Sequence, residues 1–114
     1  MINQFTGTPT DYEPKVGDGA TILYWTDRRA YTIVEVGKRP GQNGNYVILQ
    51  RDKATPAEGE KWPVTQYDYA PDPNGAKQVF TKRRNGQWIA DGSPMKGGTR
   101  AALGYRNEYT DPSF

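Results

Sequence analysis

The segment QVFTKRRNGQWIA, residues 78–90, contains the clearest structural signal in the sequence. Residues 78–83 alternate as strands with one buried face do, and Asn85-Gly86 joins them to a second strand-like run at 87–90. An Asn-Gly pair supplies the two positive-φ positions of a type I′ turn, so we predict a tight β-hairpin here. Two further Asn-Gly pairs, at 43–44 and 74–75, also lie between strand-like runs. The pattern is typical of an antiparallel meander.

Upstream of this hairpin the chain contains other short runs that are rich in β-branched and aromatic residues and are bounded by turn residues. Several short strands separated by turns predict a small barrel or a sandwich. We favour a mainly β protein with little helix: a small antiparallel, SH3-like barrel that the hairpin at 78–90 extends or caps. The runs are ATILYW at 20–25, AYTIVEV at 30–36, YVILQ at 46–50 and VTQYDY at 64–69.

Thirteen Gly and nine Pro argue against long helices. A short helix is compatible only with residues 99–103, where Gly104 would end it. The apolar Phe114 is expected to dock on its own domain or on a neighbour. With 114 residues the chain fits a single domain. The predicted parts are an N-terminal arm at 1–15 and one β domain at 16–114, with a barrel-like half at 16–53 and a hairpin with a C-terminal extension at 64–114.

The composition excludes several kinds of site because the chain contains no His and no Cys. Ser–His–Asp and Cys–His catalytic sites, zinc sites built on His or Cys, and disulfides are therefore absent. Any catalysis would depend on carboxylates, Lys, Tyr, Ser or Thr, and no pair of carboxylates indicates acid–base chemistry. No cofactor or metal is expected. No apolar run approaches the ~20 residues of a membrane span, so no membrane partner is expected either.

Basic residues are concentrated in residues 77–106, which contain seven Lys or Arg and a single acid, Asp91. Such a surplus predicts an anionic partner for this segment. Lys82-Arg83-Arg84 lie at the lip of the predicted hairpin, and Trp88 across the turn is placed to stack on a base or a guanidinium. The alternative is a solvated hairpin whose basic tip protects a sheet edge from aggregation.

A second group of candidates lies between the first two strand-like runs. Arg28 and Arg29 beside the indole of Trp25 would form a clamp for phosphate or carboxylate, since Arg binds such groups through two parallel hydrogen bonds. The alternative is that Asp27 forms a salt bridge within this turn and that Trp25 is buried.

Tyr67 and Tyr69 share one face of their run and would either stack on nucleobases or fill the core. The Gly-rich loop at 92–100 is amide-rich and could hold a phosphate through backbone N–H groups, although it lacks the Walker spacing. The predicted ligand-binding residues are Trp25, Arg28, Arg29, Tyr67, Tyr69, Lys82, Arg83, Arg84, Trp88, Arg100 and Arg106.

Several motifs occur in the same order in a set of small bacteriophage and metagenomic phage proteins, which the chain resembles over about residues 16–114. The resemblance implies a phage accessory protein made in the host cytoplasm, and it implies no particular activity or site. The motifs are GAT at 19–21, WTDR at 25–28, QRDKA at 50–54, PDPNG at 71–75, NGQW at 85–88 and GYRNEYTDPSF at 104–114.

Three functional hypotheses follow. The leading one is a non-enzymatic protein that binds a phosphate-bearing ligand, either nucleic acid or a nucleotide immune signal that it sequesters against host defence. The second is an interaction or structural protein, a homo-oligomer or a blocker of one host protein, because Tyr, Trp and Arg are enriched at interfaces. The third is a hydrolase or lyase that acts on a nucleotide without histidine.

Overall fold

The computed structural model describes residues 12–24, 26–39, 45–62, 64 and 66–110. All regular secondary structure in these residues is β. Residues 1–11, Trp25 and Phe114 lie outside the described residues, so the predictions for them stay predictions. The strands are β1 (Gly19–Leu23), β2 (Arg28–Lys38), β3 (Asn45–Arg51), β4 (Lys53–Pro56), β5 (Tyr67–Ala70), β6 (Lys77–Lys82), β7 (Trp88–Ala90) and β8 (Arg100–Leu103).

Six strands form a closed antiparallel barrel in the order β1-β2-β3-β6-β7-β8, and β8 pairs back onto β1. Strands β4 and β5 form a separate two-stranded sheet that is inserted in the chain between β3 and β6. Closure gives every barrel strand two hydrogen-bonded neighbours, so the barrel has no open edge. The predicted small, mainly β antiparallel barrel extended by a hairpin is confirmed.

The core lies inside the barrel, because alternate residues of each strand point inward. Ile22, Ile33, Leu49, Phe80 and Leu103 are fully buried and come from five different barrel strands. Burying a side chain of this size contributes about 1.5–3 kcal/mol, so these residues supply much of the driving force for closure.

The hairpin predicted at 78–90 lies in the barrel wall, not outside it. Its strands β6 and β7 pair with each other, and they also pair with β3 and β8 respectively. The hairpin that extends the barrel is instead β4–β5. The barrel thus contains three strands from each half of the chain. The first three strands alone would leave the outer edges of β1 and β3 without hydrogen-bonded partners.

The turn at Asn85-Gly86 is not of type I′. Gly86 has a φ of 85°, but no described residue other than glycine has a positive φ. The Gly86 amide donates to the Arg83 carbonyl, and the Arg83 amide donates to the Gln87 carbonyl, both at 2.8 Å. These bonds describe a type I turn followed by a left-handed glycine. The side chain of Asn85 accepts a hydrogen bond from the Gln87 amide at 3.0 Å.

Residues 99–103 do not form the short helix that the sequence allows. Arg100–Leu103 is strand β8, which pairs with β1 on one side and with β7 on the other. A single helical turn would form few backbone hydrogen bonds for the number of residues whose conformation it fixes. As a strand, the same residues form backbone hydrogen bonds with the neighbouring strands on both sides. Gly104, at a φ of 102°, ends the strand. The described residues contain no helix of the length and apolar character needed to cross a membrane.

Candidate functional site

Arg106, a predicted ligand-binding residue, is engaged in a buried polar network. Its Nε lies 2.7 Å from Oδ2 of Asp52, which is 3% exposed, and its Nη2 donates to the Thr32 hydroxyl at 2.8 Å. The same hydroxyl hydrogen-bonds to Asp52. The network fastens the segment after β8 to the barrel, so the Arg106 guanidinium has a structural role.

Glu108 organises a second network beside the first. Its carboxylate accepts hydrogen bonds from the Ala30 amide at 3.0 Å and from both terminal nitrogens of Arg51 at 2.8 and 2.9 Å. Burial lowers the pKa of Arg51, but the hydrogen bonds and charge of Glu108 outweigh this effect and raise the pKa above its usual value. Arg29 lies 3.7 Å from Glu108 and pairs with Asp27 at 3.0 Å. The salt bridge that the alternative gave to Asp27 is therefore observed, whereas Trp25 lies outside the described residues.

The basic hairpin does not form a single ligand surface. Arg83 donates to the Thr81 hydroxyl at 2.8 Å and to a carbonyl of β7 at 2.9 Å, so it braces the hairpin. Trp88 is only 4% exposed and belongs to the core, which leaves almost no ring surface for stacking. Lys82 lines a small hollow beside Trp88, whereas Arg84 is exposed at the turn.

Tyr67 and Tyr69 share a face of β5, as predicted, and stack on each other with ring centroids 6.4 Å apart and an angle of 26° between the rings. Both are half-buried in the outer two-stranded sheet. Burial raises the pKa of the Tyr69 phenol. This pair is separate from the cleft described next.

A cleft of about 760 Å³ lies between the end of β1, the start of β2, the β6–β7 turn and the segment that leads into β8. Three cations line it: Arg28, Lys96 and Arg100. No carboxylate is among the lining residues that the structure describes. We call this feature the basic cleft. Its other polar side chains are those of Asn85, Gln87 and Thr99.

The strands fix two of these cations in place. Arg28 opens β2, where its backbone lies opposite Leu23 of β1 on one side. On its other side it exchanges two backbone hydrogen bonds with Tyr109, at 2.8 and 2.9 Å. Arg100 opens β8, and its side chain is exposed. Neither Lys96 nor Arg100 forms an ion pair with any described residue.

The loop that carries Lys96 is the one predicted to hold a phosphate. It packs closely against β7, because a Cβ atom at Gly98 would lie 2.5 Å from the Pro94 carbonyl oxygen and 2.7 Å from Ile89. The Gly98 amide donates to the same carbonyl at 3.2 Å. Gly97 has a φ of 91°, which a residue with a side chain rarely adopts. Glycine at both positions lets the loop backbone form one wall of the basic cleft.

Tyr24 is an aromatic residue that lines the basic cleft, and it is 38% exposed. Its hydroxyl lies 3.4 Å from that of Tyr31, and Gln78 Nε2 donates to both hydroxyls at 3.3 Å. Its carbonyl accepts from Arg28 Nη1 at 3.4 Å. Tyr24 also lines a neighbouring hollow of about 620 Å³. Anchoring through the hydroxyl holds the ring at the boundary between the two.

The structure thus brings together Arg28, Arg100 and the Gly-rich loop among the predicted ligand-binding features. The sequence analysis did not identify Tyr24, because its position in the first strand-like run gives no sign of a binding role. It included Lys96 only as one of the seven cations of the basic segment. Among the described residues no three or more Asp or Glu converge as metal ligands would. Comparisons of the chain with protein-family models, with curated proteins and with solved structures found no match.

Proposed function

We propose that this protein binds a phosphate-bearing ligand in the basic cleft and catalyses no reaction on it. The observation that carries the proposal is the charge of the lining: Arg28, Lys96 and Arg100 line one space, and no carboxylate is among the described residues around it. Elsewhere in the described residues Arg29, Arg51 and Arg106 are neutralised by acids. An uncompensated group of cations in a concave site raises the local concentration of anions and favours their binding.

The parts of the basic cleft match the chemistry of phosphate. The arginines offer planar pairs of N–H donors, and Lys96 supplies a compact charge on a flexible stem. The glycines of the adjoining loop let a ligand approach the backbone closely. Carboxylates are one of the groups that catalysis without histidine would use, and the buried acids Asp52 and Glu108 are committed to arginines outside this cleft. Binding without turnover is therefore the function that we propose.

Isothermal titration calorimetry tests this proposal with inorganic pyrophosphate, adenosine 5′-diphosphate and a single-stranded oligonucleotide as ligands. At least one should bind, and the double variant Lys96→Ala/Arg100→Ala should weaken that binding at least ~tenfold, because each hydrogen bond to a charged group contributes ~1.5–3 kcal/mol. The matched control is Lys53→Ala/Lys61→Ala, which removes two exposed charges from the outer hairpin. Equal losses in both variants, or no binding of any ligand, would refute the proposal.

The resemblance to phage proteins supports a more specific form of the same proposal. We propose a phage accessory protein that acts in the host cytoplasm and whose ligand is nucleic acid or a nucleotide immune signal sequestered against host defence. The salt dependence of binding separates the two ligands. For nucleic acid, affinity falls steeply with salt because each neutralised phosphate releases condensed counterions. A small nucleotide should show a much flatter dependence.

A protein–protein contact is a second candidate function, because the indole of Trp62 is 65% exposed in the segment between β4 and β5. Tryptophan is enriched at the energetic centres of interfaces, and a second copy or a host protein would cover it. Light scattering on the intact chain tests self-association. A multimer that Trp62→Ser dissociates supports the idea, whereas a monomer in both proteins removes the homo-oligomer form of it.

A further inference from the structure

We infer that the ligand of the basic cleft is a small nucleotide whose base stacks on Tyr24, with its phosphates between Arg28, Lys96 and Arg100; this inference rests on the proposed function. Tyr24, which is 38% exposed, lines the basic cleft together with all three cations. A ligand bound there therefore contacts charge and an aromatic surface at once. Nucleotides combine an anionic end with a planar aromatic end, and they match this pairing.

The orientation of Tyr24 is fixed before any ligand arrives. Its hydroxyl belongs to the hydrogen-bonded group with Tyr31 and Gln78, at 3.3–3.4 Å. Its backbone amide donates to the Asp27 carbonyl at 3.0 Å, which closes the turn before β2. A ring held at both ends loses little conformational freedom on binding, so stacking on it is favourable.

Among the described residues, the cations beyond Tyr24 in the neighbouring hollow are paired with acids. This hollow is lined by Asp27 and by Arg29 and Arg51, and both arginines are bound by acids. The rest of that lining is uncharged: Thr26, Tyr31 and Ala76.

A long nucleic acid needs a groove that continues to neutralise successive phosphates. Toward the neighbouring hollow, the uncompensated cations of the basic cleft stop at Tyr24, and the arginines that follow are paired with acids. The arrangement therefore favours a ligand with phosphates on one side of Tyr24 and a base or sugar on the other.

The size of the site agrees with this ligand class. Clefts of ~300–1,000 Å³ are usual for small ligands, and the basic cleft of about 760 Å³ falls in that range. Three cations balance a ligand with two or three negative charges, such as a nucleoside diphosphate. A single phosphate without a base would use the cations but leave the ring uncovered.

Calorimetry at low and moderate salt compares inorganic pyrophosphate, adenosine 5′-diphosphate and a ten-nucleotide oligo-dT with the unaltered protein and with Tyr24 variants. We expect adenosine diphosphate to bind one per chain and about tenfold more tightly than pyrophosphate, since stacking on one aromatic ring supplies that preference. Tyr24→Leu should abolish the preference while pyrophosphate still binds. Tyr24→Phe retains the ring and should retain the preference, and melting curves verify that each variant is folded.

The outcomes distinguish this inference from the proposed function. Equal affinity for pyrophosphate and adenosine diphosphate, or a preference that survives Tyr24→Leu, overturns the nucleotide inference and leaves phosphate binding intact. Tighter binding of oligo-dT with a steep salt dependence also overturns it, because the ligand would then be a polynucleotide. If none of the three probes binds, the proposed function itself is refuted.

Discussion

Replacing Glu108 with alanine removes the carboxylate that holds the segment after β8 against the barrel. The side chain is 7% exposed and accepts hydrogen bonds from the Ala30 amide and from two nitrogens of Arg51. The variant leaves a buried amide and a partly buried guanidinium without these acceptors. We expect a large loss of stability, because an unpaired buried polar group costs more than its hydrogen bond contributes.

The magnitude follows from these contacts. Breaking a buried ion pair by removing one partner costs ~3–5 kcal/mol. The Arg51 side chain is 29% exposed, so water compensates part of its loss. We therefore expect a decrease of ~3 kcal/mol in the free energy of unfolding, the lower end of that range. At ~4 °C per kcal/mol for a domain of this size, the melting temperature should fall by ~10 °C or more.

Urea denaturation followed by tryptophan fluorescence, together with thermal melting, measures the effect. Glu58→Ala is the matched control, because Glu58 is exposed and surface changes of this kind stay within ~0.5 kcal/mol. A double-mutant cycle with Arg51→Leu isolates the pair, and its coupling energy should exceed ~1 kcal/mol. A loss below ~1 kcal/mol for Glu108→Ala, or a coupling energy near zero, would show that water replaces the carboxylate and that the reasoning is wrong.

Two further predictions concern the cleft loop and the tyrosines. Gly98→Ala should lower the free energy of unfolding by ~1–3 kcal/mol and weaken phosphate binding, because the new Cβ atom would lie 2.5 Å from the Pro94 carbonyl oxygen and the loop must move. Thermal melting measures the first effect and calorimetry the second. Unchanged values would contradict the close packing of this loop. Burial, followed by the hydrogen bond that Tyr31 shares with Tyr24, raises the pKa of Tyr31, and burial raises that of Tyr105. As the pH rises, these phenols lose their protons in the unfolded chain before they do in the folded protein. Their contribution to the free energy of unfolding should therefore be fully present below pH ~10 and fall as the pH rises above it. Absorbance at 295 nm should increase at higher pH in the folded protein than in the denatured protein, and coincident curves would contradict this.

Local patterns in the sequence predict most of the strands but not their closure. Alternation and turn residues mark β1, β2, β3 and β6 clearly. Strand β8 was missed because Ala101, Ala102 and Leu103 have no β-branched or aromatic side chain and follow a loop that could begin a helix. Its conformation is decided by the unpaired edges of β1 and β7, which are tertiary features. The Asn85-Gly86 hairpin was located correctly, whereas its turn type depends on the length of the loop between the paired strands.

The candidate site shows the same division between local and long-range information. The Gly-rich loop and the cation surplus were visible in the sequence, and both contribute to the basic cleft. The role of Arg106 was not visible, because its acid is distant in the chain: Asp52 lies 54 residues before it. No pattern within a short window links such partners. Asp27, the nearer acid of Arg29, lies two residues away, and its salt bridge was one of the two alternatives for that turn. Only the fold reveals which cations are neutralised.

The two kinds of cation are structurally connected, and this connection explains why the basic cleft has its form. Glu108 holds the segment whose next residue, Tyr109, exchanges backbone hydrogen bonds with Arg28. The acids that neutralise the structural arginines therefore also position one of the three cleft cations. Because these acids pair with arginines elsewhere, a chain with a net charge of only +2 presents one concave surface with three cations and, within the described part of the chain, no acid. Affinity for an anion then depends on how the cations and acids are distributed over the structure, and the net charge of the chain does not show this distribution.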